Sequence, residues 1–513
     1  MRHVVIVGGG SAGWLTAAVL AAEYASHRPD GLRVTLVESP EVATVGVGEG
    51  TWPSLRDTLY RIGVGESDFV RACDAAFKQG SRFVGWREDR ADDHYHHPFV
   101  LPEGYFETSL VAGWRQHRPA AFAALTSVQP RLSAAGKGPK EFATPEYAGV
   151  VNYAYHLDAA KFGAFLREHC VARLGVVHVA DHVDAIETHE NGDIARLRTR
   201  AHGTLAGDLF VDCSGLRALL LGQHYGIALE SCRDVLFNDR AIAVQLPYAA
   251  AQAPIACDTV ATAQRSGWIW DIGLQHRRGV GHVYSSAHGD AAGAEQALRR
   301  YVAATGSDPD QVTQLHRVDF QPGYRRTAWH RNCVAIGLSS GFVEPLEASS
   351  LVMVELAAAM LRDQLPATRS AMDAAARRFN QSFAYRWERI VDFLKLHYVL
   401  SRRDDSNYWR DHRRADTRSA RLSELLQRWR QRPPSRHDFP QIEEIFPSAS
   451  YQYILYGMDF VPEPSPWPRC SDDVRRAEAC FRQADARARQ MLEALPGHRE
   501  LLDHVRTRGL PRR

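Results

Sequence analysis

Val4-Val5-Ile6-Val7-Gly8-Gly9-Gly10-Ser11-Ala12-Gly13-Trp14 decides the fold of this chain. Four consecutive β-branched residues read as a strand buried on both faces. The glycines then allow a turn closed to residues with a Cβ, and the apolar stretch Leu15 to Ala22 continues as a helix, predicted from Ala12 to about Ser26. A second strand runs from Leu32 to Val37 and ends on Glu38. Strand, glycine turn, helix and a strand closed by an acidic residue make the βαβ dinucleotide unit. In it Gly8 forms the tight turn, Gly10 lets backbone approach a pyrophosphate, and Gly13 lets helix pack on strand. Ser11 and Ala12 open the helix on which the pyrophosphate rests, and Glu38 takes a ribose hydroxyl.

Further pieces of the same domain lie outward along the chain. Val45-Gly46-Val47-Gly48-Glu49-Gly50-Thr51 can hold unusual backbone angles beside a ligand or simply be a flexible loop, and Val47 and Gly48 are its cofactor candidates. Alternation from Val176 to about Ala185 and from Ile194 to Arg200, around Glu190-Asn191-Gly192-Asp193, predicts a β-hairpin. Asp208 to Gly215 reads as a buried strand ending in a small-residue turn. Cys333 to Leu338 reads as another that leads to Ser339-Ser340-Gly341, with Leu338 beside the cofactor. The expected architecture is α/β. A discontinuous Rossmann-like domain over residues 1–350 holds substrate-domain insertions at about 80–150 and 225–320. A mainly helical region, 351–513, completes the substrate site.

Composition narrows the function. With 513 residues and 45% hydrophobic content the chain fits two or three domains with a large core. Lys+Arg 62 against Asp+Glu 60 gives a net charge of +2, too small a field to favour nucleic acid. No stretch reads as a membrane span or signal. The eight cysteines are scattered without a C-x-x-C pair, which predicts a reducing cytoplasm. Asp92-Asp93-His94-Tyr95-His96-His97 lacks the convergent spacing of a metal site, so no metal is expected.

Trp268-Ile269-Trp270-Asp271-Ile272 places two indoles two residues apart, so an extended strand presents both on one face as an aromatic wall. Together with the glycine turn, this resembles the flavin-dependent tryptophan halogenases. The chain matches their W-x-W-x-I-P signature except that Gly273 stands where the proline falls. The resemblance extends from about Val4 to Met458. Ala76-Phe77-Lys78-Gln79-Gly80 is similar to the segment that holds the family's catalytic lysine; Lys78 taken alone reads as a solvated surface charge. Gly341-Phe342-Val343-Glu344-Pro345-Leu346-Glu347 is similar to the stretch carrying the catalytic glutamate, which puts that role on Glu347. Taken alone, Glu347 reads as well as a helix cap. After it the chain has Ala348-Ser349-Ser350 where the best-known members have S-T-G, and the free N–H groups around Ser349 and Ser350 suit a halide. His97 and Phe99 match an H-x-F pattern that sandwiches the substrate indole. Tyr451 matches one of two tyrosines that hold a tryptophan's charged groups, and Gln452 breaks that pair.

The resemblance implies an FAD domain of the aromatic-hydroxylase and glutathione-reductase type. It implies that reduced FAD, oxygen and chloride or bromide form hypohalous acid, which passes through a tunnel to Lys78 and halogenates an electron-rich aromatic, indole or an indole derivative before tryptophan. Trp268 and Trp270 separate that substrate from the flavin. Only one dinucleotide turn is evident, so a separate flavin reductase supplies the reduced flavin, by diffusion if no complex forms, to a monomer or homodimer. The rival readings are an FAD-dependent aromatic hydroxylase that binds its own nicotinamide and a flavin-binding protein without catalysis.

Overall fold

The strand His3–Val7 is paired in parallel on both sides, with Arg33–Glu38 and with Leu209–Asp212. It therefore lies where two crossovers leave in opposite directions, the point at which such sheets bind nucleotides. The computed structural model describes residues 1–41, 48–90, 92–118, 120–463 and 472–512; Val47 lies outside them. The chain divides into two units, each built from three stretches: Met1–Ala75, Leu157–Arg233 and Phe320–Trp387 in one, and Ala76–His156, Asp234–Asp319 and Glu388–Arg513 in the other.

In the first unit the main sheet has the order Trp329–His330, Cys333–Ala335, Leu209–Asp212, His3–Val7, Arg33–Glu38, Val177–Ala180. Its centre is apolar on both faces, as buried parallel strands require, and Val5, Val7, Val37, Phe210 and Cys333 share one cluster. The helix Ser11–Glu23 covers the sheet and packs against Ala159–Arg173 and Ser349–Asp363. The predicted hairpin is split. Val183–Thr188 and Ile194–Thr199 do pair antiparallel, whereas Val177–Ala180 leaves them and adds a parallel edge beside Arg33–Glu38. Period-2 alternation fixes the faces of a strand but not the sheet it joins.

The second unit is organised by a seven-stranded sheet in the order His316–Asp319, Arg240–Pro247, Arg277–Tyr284, Gly267–Gly273, Asp258–Gln264, Gly80–Val84, His94–Pro98. Every pairing is antiparallel except Asp258–Gln264 with Gly80–Val84. One face buries Ile242, Val244, Ile269 and Val280 under the helix Ala291–Ala304, through Ala294, Leu298 and Val302. The opposite face carries Trp268 and Trp270. The region after Ser349 is helical, and the helix Arg369–Val399 gives residues to both units.

Candidate active site

In the first unit the glycine turn is dictated atom by atom. Gly8 has φ +115°, and a Cβ there would lie 2.2 Å from the Cys213 carbonyl oxygen; a Cβ on Gly13 would lie 1.9 Å from the Gly8 oxygen. At Gly10 a Cβ would meet nothing within 4 Å, so the turn is open on that side. The first helical bond is Trp14 N–H to Gly10 O at 3.1 Å, which leaves the N–H groups of Ser11, Ala12 and Gly13 ahead of the helical ladder. Open space facing helix-start donors fits the diphosphate of a dinucleotide such as FAD. Glu38 folds over Gly9, where a Cβ would overlap its carboxylate, and pairs with His178 at 2.8 Å. Gly48 begins the short strand Gly48–Gly50. Gly337, at φ +80°, would strike Ala12 if it bore a Cβ, and it brings the exposed Leu338 to the start of the same helix.

Glu347 and Ala348 stand in the same unit with φ +63° and +54°. Two successive non-glycine residues in the left-handed region cost about 1–2 kcal/mol each, and such strain gathers at functional turns. Glu347 is buried, and the Trp52 indole N–H donates to its carbonyl at 2.8 Å. The turn delivers the chain into the helix Ser349–Asp363, capped by Ala348 without any side-chain bond. The N–H groups of Ser349 and Ser350 thus precede the helical ladder, next to the buried Glu347. Trp52 was not among the sequence candidates, and its only signal there is its position just after the second glycine-rich segment.

In the second unit Lys78 ends the strand Ala76–Lys78, paired antiparallel with Ala154–Asp158 in the register Ala76↔His156 and Lys78↔Ala154. Its side chain is 1% exposed, which excludes a solvated surface charge. The Lys78 Nζ lies 5.4 Å from the centre of the Phe99 ring. His156 shares the Lys78 face of this ladder and is bonded to Thr259 Oγ1 at 2.9 Å. Burial first, and the Lys78 charge second, hold His156 well below the ordinary imidazole range, so it is neutral. Asp258 is pushed up to about 6 by burial, against the Ser133 hydroxyl and the charges of Arg82 and Lys78.

Trp268 and Trp270 lie on one face of their strand as expected, with ring centres 6.3 Å apart. The wall continues through Trp86, 6.2 Å from Trp268 and anchored by its indole N–H on Ala261 O at 2.9 Å. Trp270 pairs with Gly281, where a Cβ would come 2.1 Å from its six-membered ring. The indole therefore lies across the neighbouring strand on a seat that only glycine provides. Asp271, on the other face, binds Arg278 and accepts from Tyr301. At Gly273 a Cβ would meet Ile255 at 3.0 Å and the Tyr248 hydroxyl at 3.1 Å. The Tyr248 hydroxyl that crowds this position is bonded to Leu274 O at 3.0 Å.

His97 and Phe99 leave one face of the edge strand His94–Pro98 and the residue after it. Ser450 is a partner of His97, Nε2 to Oγ 2.9 Å. Tyr451, one residue on in the helix Ser448–Gly457, turns into a cluster with Phe393, Trp429 and Phe439 at 4.9, 5.2 and 4.9 Å. The structure thus brings Lys78, Phe99 and His97 into one neighbourhood with Ser450. Neither Ser450 nor Gly281 was legible in the sequence, because each is defined by a partner far along the chain. Among the described residues no group of three or more His, Cys, Asp or Glu could hold a metal, and no helix is long and apolar enough to cross a membrane.

Residues 3–472 match the family described as tryptophan halogenase. The 7-chloro-L-tryptophan 6-halogenase KtzR of Kutzneria sp. (strain 744) is 34% identical, over 99% of this chain and 100% of that protein. The tryptophan 6-halogenase SttH of Streptomyces toxytricini is 35% identical over 97% of both. The crystal structure of a tryptophan halogenase from Shewanella frigidimarina NCIMB 400 superposes with a TM-score of 0.96 at 45% identity, covering 100% of this chain and 99% of that one.

Proposed function

This chain belongs to the flavin-dependent tryptophan halogenase family, and from that premise we propose that it prefers indole or an indole derivative to free tryptophan. It is an FADH2-dependent halogenase that acts on an aromatic substrate with chloride or bromide and depends on a separate flavin reductase. The observation that carries the substrate reading is the helix Ser448–Gly457. It contains no charged residue, it offers the Ser450 hydroxyl to His97, and it turns Tyr451 into an aromatic cluster. An amino acid's ammonium and carboxylate need charged or well-placed polar partners when buried, and a bare indole does not.

Bound reduced FAD supplies the electrons and the oxygen activation that convert halide to hypohalous acid. In the proposed division of labour, the first unit holds the cofactor and the second holds the aromatic substrate, with residues 388–513 completing its walls. Ser11, Ala12 and Gly13 donate to the diphosphate across the opening at Gly10, Glu38 accepts from a ribose hydroxyl, and Gly48 and Leu338 border the flavin. Ser349 and Ser350 offer N–H groups to the halide. Lys78 hydrogen-bonds hypohalous acid, which makes its halogen more electrophilic, or carries the halogen on its amine. Burial of that amine among aromatic rings strengthens either interaction. Glu347 stabilises the cationic ring formed on halogen addition and removes its proton. His97 and Phe99 flank the ring, and Trp268 and Trp270 form the wall that separates it from the flavin. The seven described cysteines are free and buried, which suits the reducing cytoplasm proposed for a monomer or homodimer.

Mass spectrometry of an assay with FAD, NADH, a flavin reductase and bromide or chloride, with indole and tryptophan offered separately, tests the substrate reading. Halogenated indole at a higher kcat/KM than halogenated tryptophan supports it. The reverse order overturns it.

A further inference from the structure

We infer that Ser450 is a specificity-determining positioning residue: by fixing the His97 imidazole it sets how an indole lies, and so which ring carbon is halogenated. The inference rests on the proposed role of His97 as a substrate wall.

The argument starts from the freedom of a histidine in such a wall. Packing alone restrains an imidazole weakly about its last torsion, which is broad and roughly two-fold. Two of the rings beside His97 meet it obliquely, Phe393 at 5.8 Å and 49° and Tyr453 at 6.2 Å and 46°. The Ser450 hydroxyl, 2.9 Å from Nε2, restricts that freedom. Both partners are more than nine-tenths buried, so water does not replace the bond if it is lost.

Ser450 is itself well held. It lies in the first turn of its helix, where its N–H bonds to Pro447 O at 2.9 Å, and its side chain crosses to the strand of His97. One turn on, Tyr453 covers the same face and donates to Val100 O at 3.1 Å, next to Phe99. Phe393 is braced by stacking on Phe446 at 3.7 Å and 12°. Strand and helix therefore hold one rotamer of one ring. A flat substrate shifted against that ring by about an ångström presents a different carbon to the halogen, and misplacement on this scale changes rates by up to about 100-fold.

The test uses full-length enzyme with its reductase, bromide and indole, and reads the ratio of bromoindole isomers alongside KM and kcat. Ser450→Ala is expected to lower the ratio of major to minor isomer by roughly three- to tenfold, as befits one hydrogen bond, and to raise KM more than it lowers kcat. Ser450→Thr, which keeps the hydroxyl, is expected to restore the ratio. An unchanged ratio in Ser450→Ala, with the parent's melting temperature, overturns the inference. His97→Ala separates the two levels. If it scrambles the isomers while Ser450→Ala does not, only the role of Ser450 falls; if neither variant changes them, the reading of His97 as a wall falls with it.

Discussion

Lys78 and Glu347, the two residues assigned to the halogen and the proton, are held by opposite means. Lys78 ends a regular strand, in register with Ala154, and its place follows from ordinary ladder pairing. Glu347 sits on two left-handed residues, pinned through its carbonyl by Trp52 and followed at once by a helix. For the role proposed for Lys78, meeting a mobile oxidant, a straight, packed support serves. Glu347 meets its helix start through a sharp turn, and here that turn is made without glycine. The difference teaches that the pair proposed here as catalytic draws on regular structure at one member and on stored backbone strain at the other.

The largest expected effect tests the pair itself. Lys78→Ala and Glu347→Gln should each lower halogenation by about 10²–10⁴-fold while FAD binding, followed by flavin fluorescence, stays within about twofold of the parent. Near-normal turnover in either variant breaks the comparison at that member. On the second unit, Gly281→Ala should push Trp270 off its seat. It should destabilise the fold by about 1–3 kcal/mol and lower the halogenated product formed per reduced flavin. Adding Trp270→Phe should recover most of that stability, measured by urea unfolding.

Next comes the helix behind the strained turn. Glu355 is buried and raised to about 8, chiefly by burial, while bonds from Thr58 and Ser54 act the other way. In the unfolded chain this carboxyl ionises near 4.5. Between those values only the folded protein keeps the proton, so stability falls as pH rises from about 4.5 to about 8. Glu355→Gln should flatten that slope by up to ~1.4 kcal/mol per pH unit, read from unfolding midpoints at pH 6, 7 and 8. The smallest effect sharpens the contrast most directly. Ala348→Gly should raise stability by roughly 0.5 kcal/mol, because relief of the left-handed strain exceeds the added unfolded-chain entropy. Ala76→Gly, in the strand of Lys78, should lower it by roughly 0.5–1 kcal/mol.

Legibility in the sequence follows the range of the forces involved. The glycine turn was readable because part of its constraint is local: Gly13 fails against Gly8, five residues away, although Gly8 itself fails against distant Cys213. The shared face of Trp268 and Trp270 was readable from the two-residue period, but Gly281 was not, since register with a neighbouring strand decides it. The strand Val177–Ala180 reads from sequence as part of a hairpin because alternation carries no record of its neighbour. Lys78 alone looked like a surface charge; only burial by distant segments removes that reading. Helix rotation could not be read at Ser450 and Tyr451, and it turns the hydroxyl toward His97 and the phenol toward Trp429. The turn at Glu347 hid its strain for a different reason, as no glycine marks it.

Each unit is assembled from three separated stretches, and this shapes how the protein can be made. When synthesis has reached residue 300, the first unit still lacks Cys333–Ala335 of its main sheet, and the second lacks every helix after Glu388. Neither can close early, so the strand Gly80–Val84, which carries His94–Pro98 on its other edge, waits for Asp258–Gln264 to pair with it across a long span of chain. Such distant, partly parallel pairing is slow and leaves edges open to aggregation. Slower translation and lower temperature during expression should therefore raise the soluble yield, and no single cut in the gene can release either half as an independently folding piece.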